Sequence, residues 1–326
     1  MAKAPKNHHL KTSKDALYRD FFYPPFSTLD ARSGWWQARK RQWLAIGLQS
    51  ERGRGNAFTS ISSAWQAQQG KPNSSKTPIE SAPSWVTTSI FDPVLCELMY
   101  RWFVPRGGLV FDPFAGGSVR GIVAAKLGLE YIGFDIRAEQ IKANQAQAKA
   151  LLNRDSPKPI WKEKDACARS IYQSLRKRPD FLFTCPPYGD LEVYSDHPDD
   201  ISAMPWDTFA GALTHSIKQA SARLADNRFA AFVVSDIRDK KGNYRGLPDV
   251  VRAAFKDAGL GYHSEAVLIN ALGTVPIRSR GYFENDRKLA RAHQNVLLFV
   301  KGCPKKAKDD IGDVPCDDTL LSIGRT

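Results

Sequence analysis

Four stretches of this chain place reactive residue types directly after apolar runs: Asp112-Pro113-Phe114-Ala115-Gly116-Gly117, Asp135, Asp165 and Cys185-Pro186-Pro187-Tyr188. If each run is a strand, these residues gather at the carboxyl edge of a sheet, where open α/β proteins bind ligands. The glycine turn lets the backbone approach a ligand closely before a helix begins. It is not G-x-G-x-x-G. Gly116 and Gly121 have the glycine spacing of a phosphate loop, but Ile122-Val123 follow where Lys-Ser/Thr is required, which disfavours a nucleoside triphosphate. Asp135 stands where a carboxylate can bind both hydroxyls of a ribose, and Asp165 where one can accept from an adenine amino group. These features suit a nucleoside without phosphates, and S-adenosyl-L-methionine is the cofactor expected.

Cys185-Pro186-Pro187-Tyr188 raises a different chemistry. Neither proline offers an N–H, and a strand cannot run through the pair, so the apolar run Phe181-Leu182-Phe183 ends in a rigid elbow. Carbonyl oxygens there can face an amine without a competing donor. The exocyclic amine of a base is a poor nucleophile, because its lone pair is delocalised into the ring. An enzyme that alkylates it must accept its hydrogens and hold nitrogen in line with the methyl donor, and most of the rate would come from that orientation. Tyr188 can stack on a base extruded from a duplex. The acids after it, Asp190, Glu192, Asp196, Asp199 and Asp200, read as a mobile loop over the base pocket rather than a metal site.

The elements that must carry these residues alternate. Candidate strands are 108–114, 131–136, 159–166 and 180–188, with helices over 91–103, 118–128 and 138–154 and another between 166 and 180. After the elbow come a helix near 205–224, a strand at 228–237, a helix at 247–259 and strands at 262–270 and 294–302. This is a doubly wound, mostly parallel sheet covered on both faces. The last two strands, joined without a helix, should pair antiparallel, giving seven strands. Upstream, 33–48 fits a helix with Trp36, Trp43 and Ile46 available for burial, and 66–84 reads as a linker.

Lys and Arg exceed Asp and Glu by 13, and residues 1–60 hold 11 bases against 4 acids. That excess points to a polyanionic partner, most often nucleic acid. Arg32, Arg39, Lys40, Arg41, Arg52 and Arg54 are the expected phosphate contacts, with Arg278 and Arg280 beside Tyr282-Phe283 as a second cluster. No stretch approaches the ~18 apolar residues of a membrane span. Residues 1–15 lack the apolar segment of a secretory signal, and the five cysteines are scattered without a C-x-x-C pair. A cytoplasmic protein with reduced thiols and no zinc site is expected.

"DPFAGGS" (112–118) followed by "CPPY" (185–188) resembles the S-adenosylmethionine-dependent DNA amino-methyltransferases, which carry a DPFxGSGT-like cofactor motif and an (Asp/Asn/Ser)-Pro-Pro-(Tyr/Phe/Trp) catalytic motif. "TSIFDP" (88–93) is similar to the family segment that touches the methionine end of the cofactor, and "ARAHQNVLLFVKG" (290–302) to its closing strand. Chains of this kind are frequent among phage and prophage methylases. The resemblance spans about 86–302. It implies a Rossmann-like methyltransferase domain over 86–303, preceded by a basic arm and linker (1–85) and followed by a flexible tail (304–326). It implies a cofactor site at Ser89, Phe91, Asp112, Phe114, Gly116, Gly117, Asp135 and Asp165. It implies catalysis at Cys185, Pro186, Pro187 and Tyr188, on a flipped base of double-stranded DNA. Two positions depart from the pattern: Val119 replaces the Thr of the cofactor motif, and Cys185 opens the catalytic motif. A small neutral residue there favours cytosine N4 slightly over adenine N6. Methylation of RNA or of a protein glutamine, ring-carbon methylation through a Cys185 thiolate, and nucleic-acid binding without catalysis stay open as alternatives.

Overall fold

The computed structural model describes residues 25–49, 91–189, 197–272 and 275–314. Eight strands form one sheet: β1 (Thr28–Asp30), β2 (Leu109–Asp112), β3 (Glu130–Asp135), β4 (Ile160–Glu163), β5 (Phe181–Thr184), β6 (Arg228–Val234), β7 (Gly261–Ile269) and β8 (His293–Lys301). Their order is β1-β7-β8-β6-β5-β2-β3-β4, and every neighbouring pair is parallel except the two that β8 makes with β6 and β7. The chain runs outward from β2 through β3 to β4, then returns to add β5 on the other side of β2. The crevice between β2 and β5 is therefore the topological switch point, where such sheets bind ligands.

The helices are α1 (Gly34–Ala45), α2 (Pro93–Phe103), α3 (Val119–Lys126), α4 (Ala138–Leu151), α5 (Trp206–Arg223), α6 (Leu247–Asp257), α7 (Val275–Asp286) and α8 (Pro304–Ile311). Alternation along β5 shows how the two layers share the sheet: Phe181 and Phe183 enter one core with α2 and α3, and Leu182 enters the other with α5 and α6. Local signals set the starts of α1 and α2. Ser33 Oγ accepts from the Trp36 N–H, and Asp92 accepts from Val94 at 2.8 Å ahead of Pro93. Gly121 has a packing reason, since a Cβ there would collide with the Trp161 ring.

The structure departs from the sequence reading in four places. The sheet has eight strands, because Thr28–Asp30 pairs with Val267–Ile269 at its edge. Residues 28–48 thus belong to the domain: Leu29, Trp36, Trp43 and Leu48 are buried in the same core as α2. The helix expected after β4 is a 3-10 turn at Arg169–Ser174. The link between β7 and β8 does contain a helix, α7, although the strands pair antiparallel as expected. Part of the expected tail is α8, which buries Ala307 and pairs Asp310 with Arg228 at 2.7 Å. Among the described residues, no helix is long and apolar enough to cross a membrane.

Candidate active site

A cavity opens over the carboxyl ends of β2, β3, β4 and β5. Phe91, Phe114, Gly116, Asp135 and Asp165 line one part, and Cys185, Pro186, Pro187 and Tyr188 another. Strand register puts the two parts side by side: Val110 and Phe111 of β2 lie opposite Phe181 and Leu182 of β5, so both strands end beside the same crevice.

The glycine turn is held from behind. Gly116 has φ +49°, which favours glycine, and its carbonyl accepts from Asn144 Nδ2 at 2.7 Å. Asn144 Oδ1 in turn accepts from Gln140, whose Oε1 accepts from Arg137. Ser118 Oγ donates to Gln147, whose side chain also exchanges hydrogen bonds with the backbone of Gln49. Gln140, Asn144 and Gln147 are buried along one face of α4. Sequence reasoning missed this ladder, and its signal was there: amides spaced three and four residues apart on a helix that offers few large apolar residues.

Asp135 ends β3 with its carboxylate at the cavity wall. Burial pushes its pKa up to about 6, against the lowering effects of Arg137 and of the Arg137 and Gly116 N–H groups. The carboxylate of Asp165, at the same wall, accepts from the Cys167 N–H at 2.7 Å. Phe91 packs edge-on against Phe183 with ring centroids 5.5 Å apart and lies under the Arg120 guanidinium at 4.3 Å.

Asp112 is placed otherwise than the motif implied. It is fully buried and does not line the cavity. Its oxygens take the Arg120 Nε at 2.5 Å, the Tyr131 hydroxyl at 2.7 Å and the Thr184 hydroxyl at 2.5 Å. Arg120 then donates from Nη2 to the carbonyls of Phe114 and Ala115, both at 2.8 Å. Asp112 is the anchor of the turn rather than a ligand of its contents. Arg120, given no role from the sequence, both clamps the turn and faces the cavity. Gly117 lies off the wall, and Ser89 falls outside the described residues.

At the elbow, Cys185 Sγ and the Tyr188 hydroxyl are 3.3 Å apart, and Gln294 Nε2 donates to that hydroxyl at 2.8 Å. Asp199 and Asp200 reach the same cavity, Asp200 capping the turn at Ile201–Ala203 through Ser202. Asp190, Glu192 and Asp196 fall outside the described residues.

The expected phosphate contacts fare unevenly. Arg39 is 4% exposed and forms a two-pronged pair with the fully buried Glu97, so it cannot reach a phosphate. The reason is spacing: Trp36, Arg39 and Trp43 fall at i, i+3 and i+7, one buried face of α1. Lys40 pairs with Asp92 at 3.0 Å and Arg32 with Asp30 at 2.8 Å, while Arg41 is exposed. Arg280 is exposed and pairs with Glu284. Arg52, Arg54 and the side chain of Arg278 fall outside the described residues.

Comparison with known proteins returns methyltransferases at low identity. TrmN from Thermus thermophilus is 16% identical, with 65% of this chain and 49% of that one covered and a TM-score of 0.42. This chain therefore spans about half the length of TrmN. Magnesium protoporphyrin IX methyltransferase from Synechocystis PCC 6803, with bound S-adenosylmethionine, is 12% identical over 76% of this chain and 95% of that one, at TM-score 0.42. A candidate DNA modification methylase, also from Thermus thermophilus, is 15% identical over 43% of this chain and 51% of that one, at TM-score 0.31. No protein of curated function matches the chain. Residues 24–147 match the model of the N6_N4_Mtase family, described as DNA methylase, a span that includes the glycine turn and Asp135 and stops before the elbow. Residues 24–147 are thus similar to the DNA methylases of that family.

Proposed function

We propose that this protein transfers a methyl group to an exocyclic base amine of double-stranded DNA, cytosine N4 slightly ahead of adenine N6. The observation that carries this is the meeting, in one cavity at the switch point, of the Gly116–Asp135 wall and the Cys185–Tyr188 elbow. The cofactor is S-adenosyl-L-methionine, which supplies an electrophilic methyl on a sulfonium. The residues fit it: Asp135 offers acceptors for a ribose diol, Asp165 an acceptor for an amino group, and Phe114, Ile136 and Ala166 an apolar wall for a purine.

The chain's part is to bind and orient. Carbonyl oxygens at Cys185 and Pro186, unchallenged by a proline N–H, accept the hydrogens of the amine and turn its lone pair toward the donor. Tyr188 stacks on the extruded base, its ring held by the bonds at its hydroxyl. Cys185 Sγ is a further weak acceptor beside the amine.

The test is incubation of the purified full chain with S-adenosylmethionine and duplex DNA, followed by mass spectrometry of the nucleosides. N4-methylcytosine is expected. N6-methyladenine would keep the reaction and correct the base. Methylation of RNA or protein with none in DNA would overturn the reading.

A further inference from the structure

We infer that duplex DNA is held by a basic surface centred on the loop after β6, formed where that loop packs against the link between β7 and β8. This rests on the DNA reading above and names the part of the protein that grips the duplex. Both segments leave the sheet at its carboxyl edge, the edge that carries the elbow: Thr184 lies opposite Phe232, and Val234 opposite Asn295.

The loop 238–245, Arg-Asp-Lys-Lys-Gly-Asn-Tyr-Arg, is a built hairpin. Arg238 and Tyr244 bridge across it, Gly242 donates to the Asp239 carbonyl at 3.0 Å, and Arg238 Nη1 donates to the Gly242 carbonyl at 2.7 Å. Its acids are spent on backbone. Asp239 accepts from the Asn243 N–H, and Asp236, just before it, from those of Ile237, Gly246 and Leu247. Its bases remain outward: Lys240 and Lys241 are exposed, and neither is ion-paired to a described residue. A preformed loop with its acids turned in and its lysines turned out complements a phosphate backbone at little ordering cost.

The second segment extends this surface. Arg291 lies 5.5 Å over the exposed Tyr244 ring, whose other cation, Arg238, is at 3.9 Å. Lys288, itself paired with Asp286, passes so close to Gly242 that a Cβ there would collide with its Nζ. Beyond lies α7, with Ile277 81% exposed and Phe283 46%, an unusual display of apolar area among arginines.

The surface touches the elbow directly. Arg245 lies over Trp206 at 5.3 Å, and a Cβ on Gly189, next to Tyr188, would come within 3.4 Å of Ile237 and 3.7 Å of Trp206. From the other segment, Gln294 bonds the Tyr188 hydroxyl three positions after Arg291. A duplex gripped here presents its bases at the elbow. Of the described residues in the α1 segment, Arg39 is buried and Arg32 and Lys40 are paired, which leaves Arg41 exposed.

The test compares the full chain with a Lys240→Ala/Lys241→Ala double variant. Anisotropy measures affinity for a 20-base-pair duplex over a salt series, and calorimetry of S-adenosylmethionine binding serves as the check on folding. Two lost phosphate contacts should lower the log–log salt slope by about 1.8 and weaken binding roughly thirtyfold at about 0.15 M salt. An unchanged slope in a variant that still binds the cofactor overturns the inference, even where the wild type methylates DNA. The predicted loss in a protein that methylates no DNA leaves the surface standing and removes the function proposed above. If the same lysines bind single-stranded RNA more tightly than duplex DNA, the assignment to a duplex is wrong.

Discussion

Gln294, at the start of β8, donates to the hydroxyl of Tyr188 at 2.8 Å, so a strand distant in sequence fixes the ring that ends the elbow. Tyr188→Phe removes that bond and keeps the ring. It should cost the ~0.5–1.5 kcal/mol of a neutral hydrogen bond in transition-state stabilisation, seen as a modest fall in kcat/KM. Tyr188→Ala should forfeit a further ~1–3 kcal/mol of stacking on the base, with cofactor affinity unchanged. Steady-state kinetics of the two variants would show the order; equal losses would mean that the ring does not stack.

Asp135 should couple cofactor binding to pH. Its pKa is about 6 in the folded chain, so the carboxylate proposed to accept from a ribose is present above that pH and lost below it. Affinity for S-adenosylmethionine should fall as pH drops through 6. Asp135→Asn should bind roughly ten- to a hundredfold more weakly at pH 7.5, the cost of a charge-assisted hydrogen bond. Calorimetry at pH 7.5 and 5 separates the two effects, because the variant should show little of the pH dependence.

The same group makes an opposite prediction for stability. Aspartate in an unfolded chain titrates near 3.9, so between about pH 4 and 6 the folded chain binds more protons than the unfolded one. Stability at this site therefore falls as pH rises through that window, by an amount on the order of 3 kcal/mol once both forms are ionised. Asp135→Asn removes the penalty. In the absence of cofactor, the variant should unfold at higher denaturant than wild type at pH 7, with the gap closing toward pH 4.

Arg39 should act on folding and not on DNA. Glu97 is fully buried and receives Arg39, the Trp43 indole N–H at 2.8 Å and Arg101 at 2.9 Å. Arg39→Ala leaves that carboxylate without its main counter-charge, which typically costs ~3–5 kcal/mol. The denaturant midpoint should drop sharply. In any fraction that stays folded, the salt dependence of DNA binding should match the wild type.

This pair also shows where the sequence was legible. The strand ends could be read because each apolar run stops at a residue with a chemical reason to stop, such as Asp112-Pro113 or Pro186-Pro187, and those reasons are local. Asp135 and Cys185 meet in one cavity because register adds little to what the alternation of strands and helices already implies. Arg39 could not be placed that way. An arginine near two tryptophans looks like a nucleic-acid contact until Glu97, 58 positions away, is seen beside it. Asp112 misled for the same reason: its partners Arg120, Tyr131 and Thr184 come from three different elements. The hairpin at 238–245 could not be read locally either, because Tyr244 meets Arg291 and Arg245 meets Trp206 only in the fold.

Cys185 decides between amine and ring-carbon chemistry. In the structure its sulfur lies 3.3 Å from the Tyr188 hydroxyl, on the wall of the cavity, where it can take a hydrogen bond. If that is its part, Cys185→Ser replaces a weak acceptor with a stronger one and should keep or raise activity, with the product still methylated on an exocyclic amine. A covalent nucleophile would behave otherwise, since a serine hydroxyl is not ionised near neutral pH and cannot add to the ring without a base. The assay is nucleoside mass spectrometry on wild type and variant, with DNA and cofactor affinities measured alongside. An inactive serine variant that binds both, against a wild type that yields 5-methylcytosine, would replace the amine mechanism with attack by the thiolate.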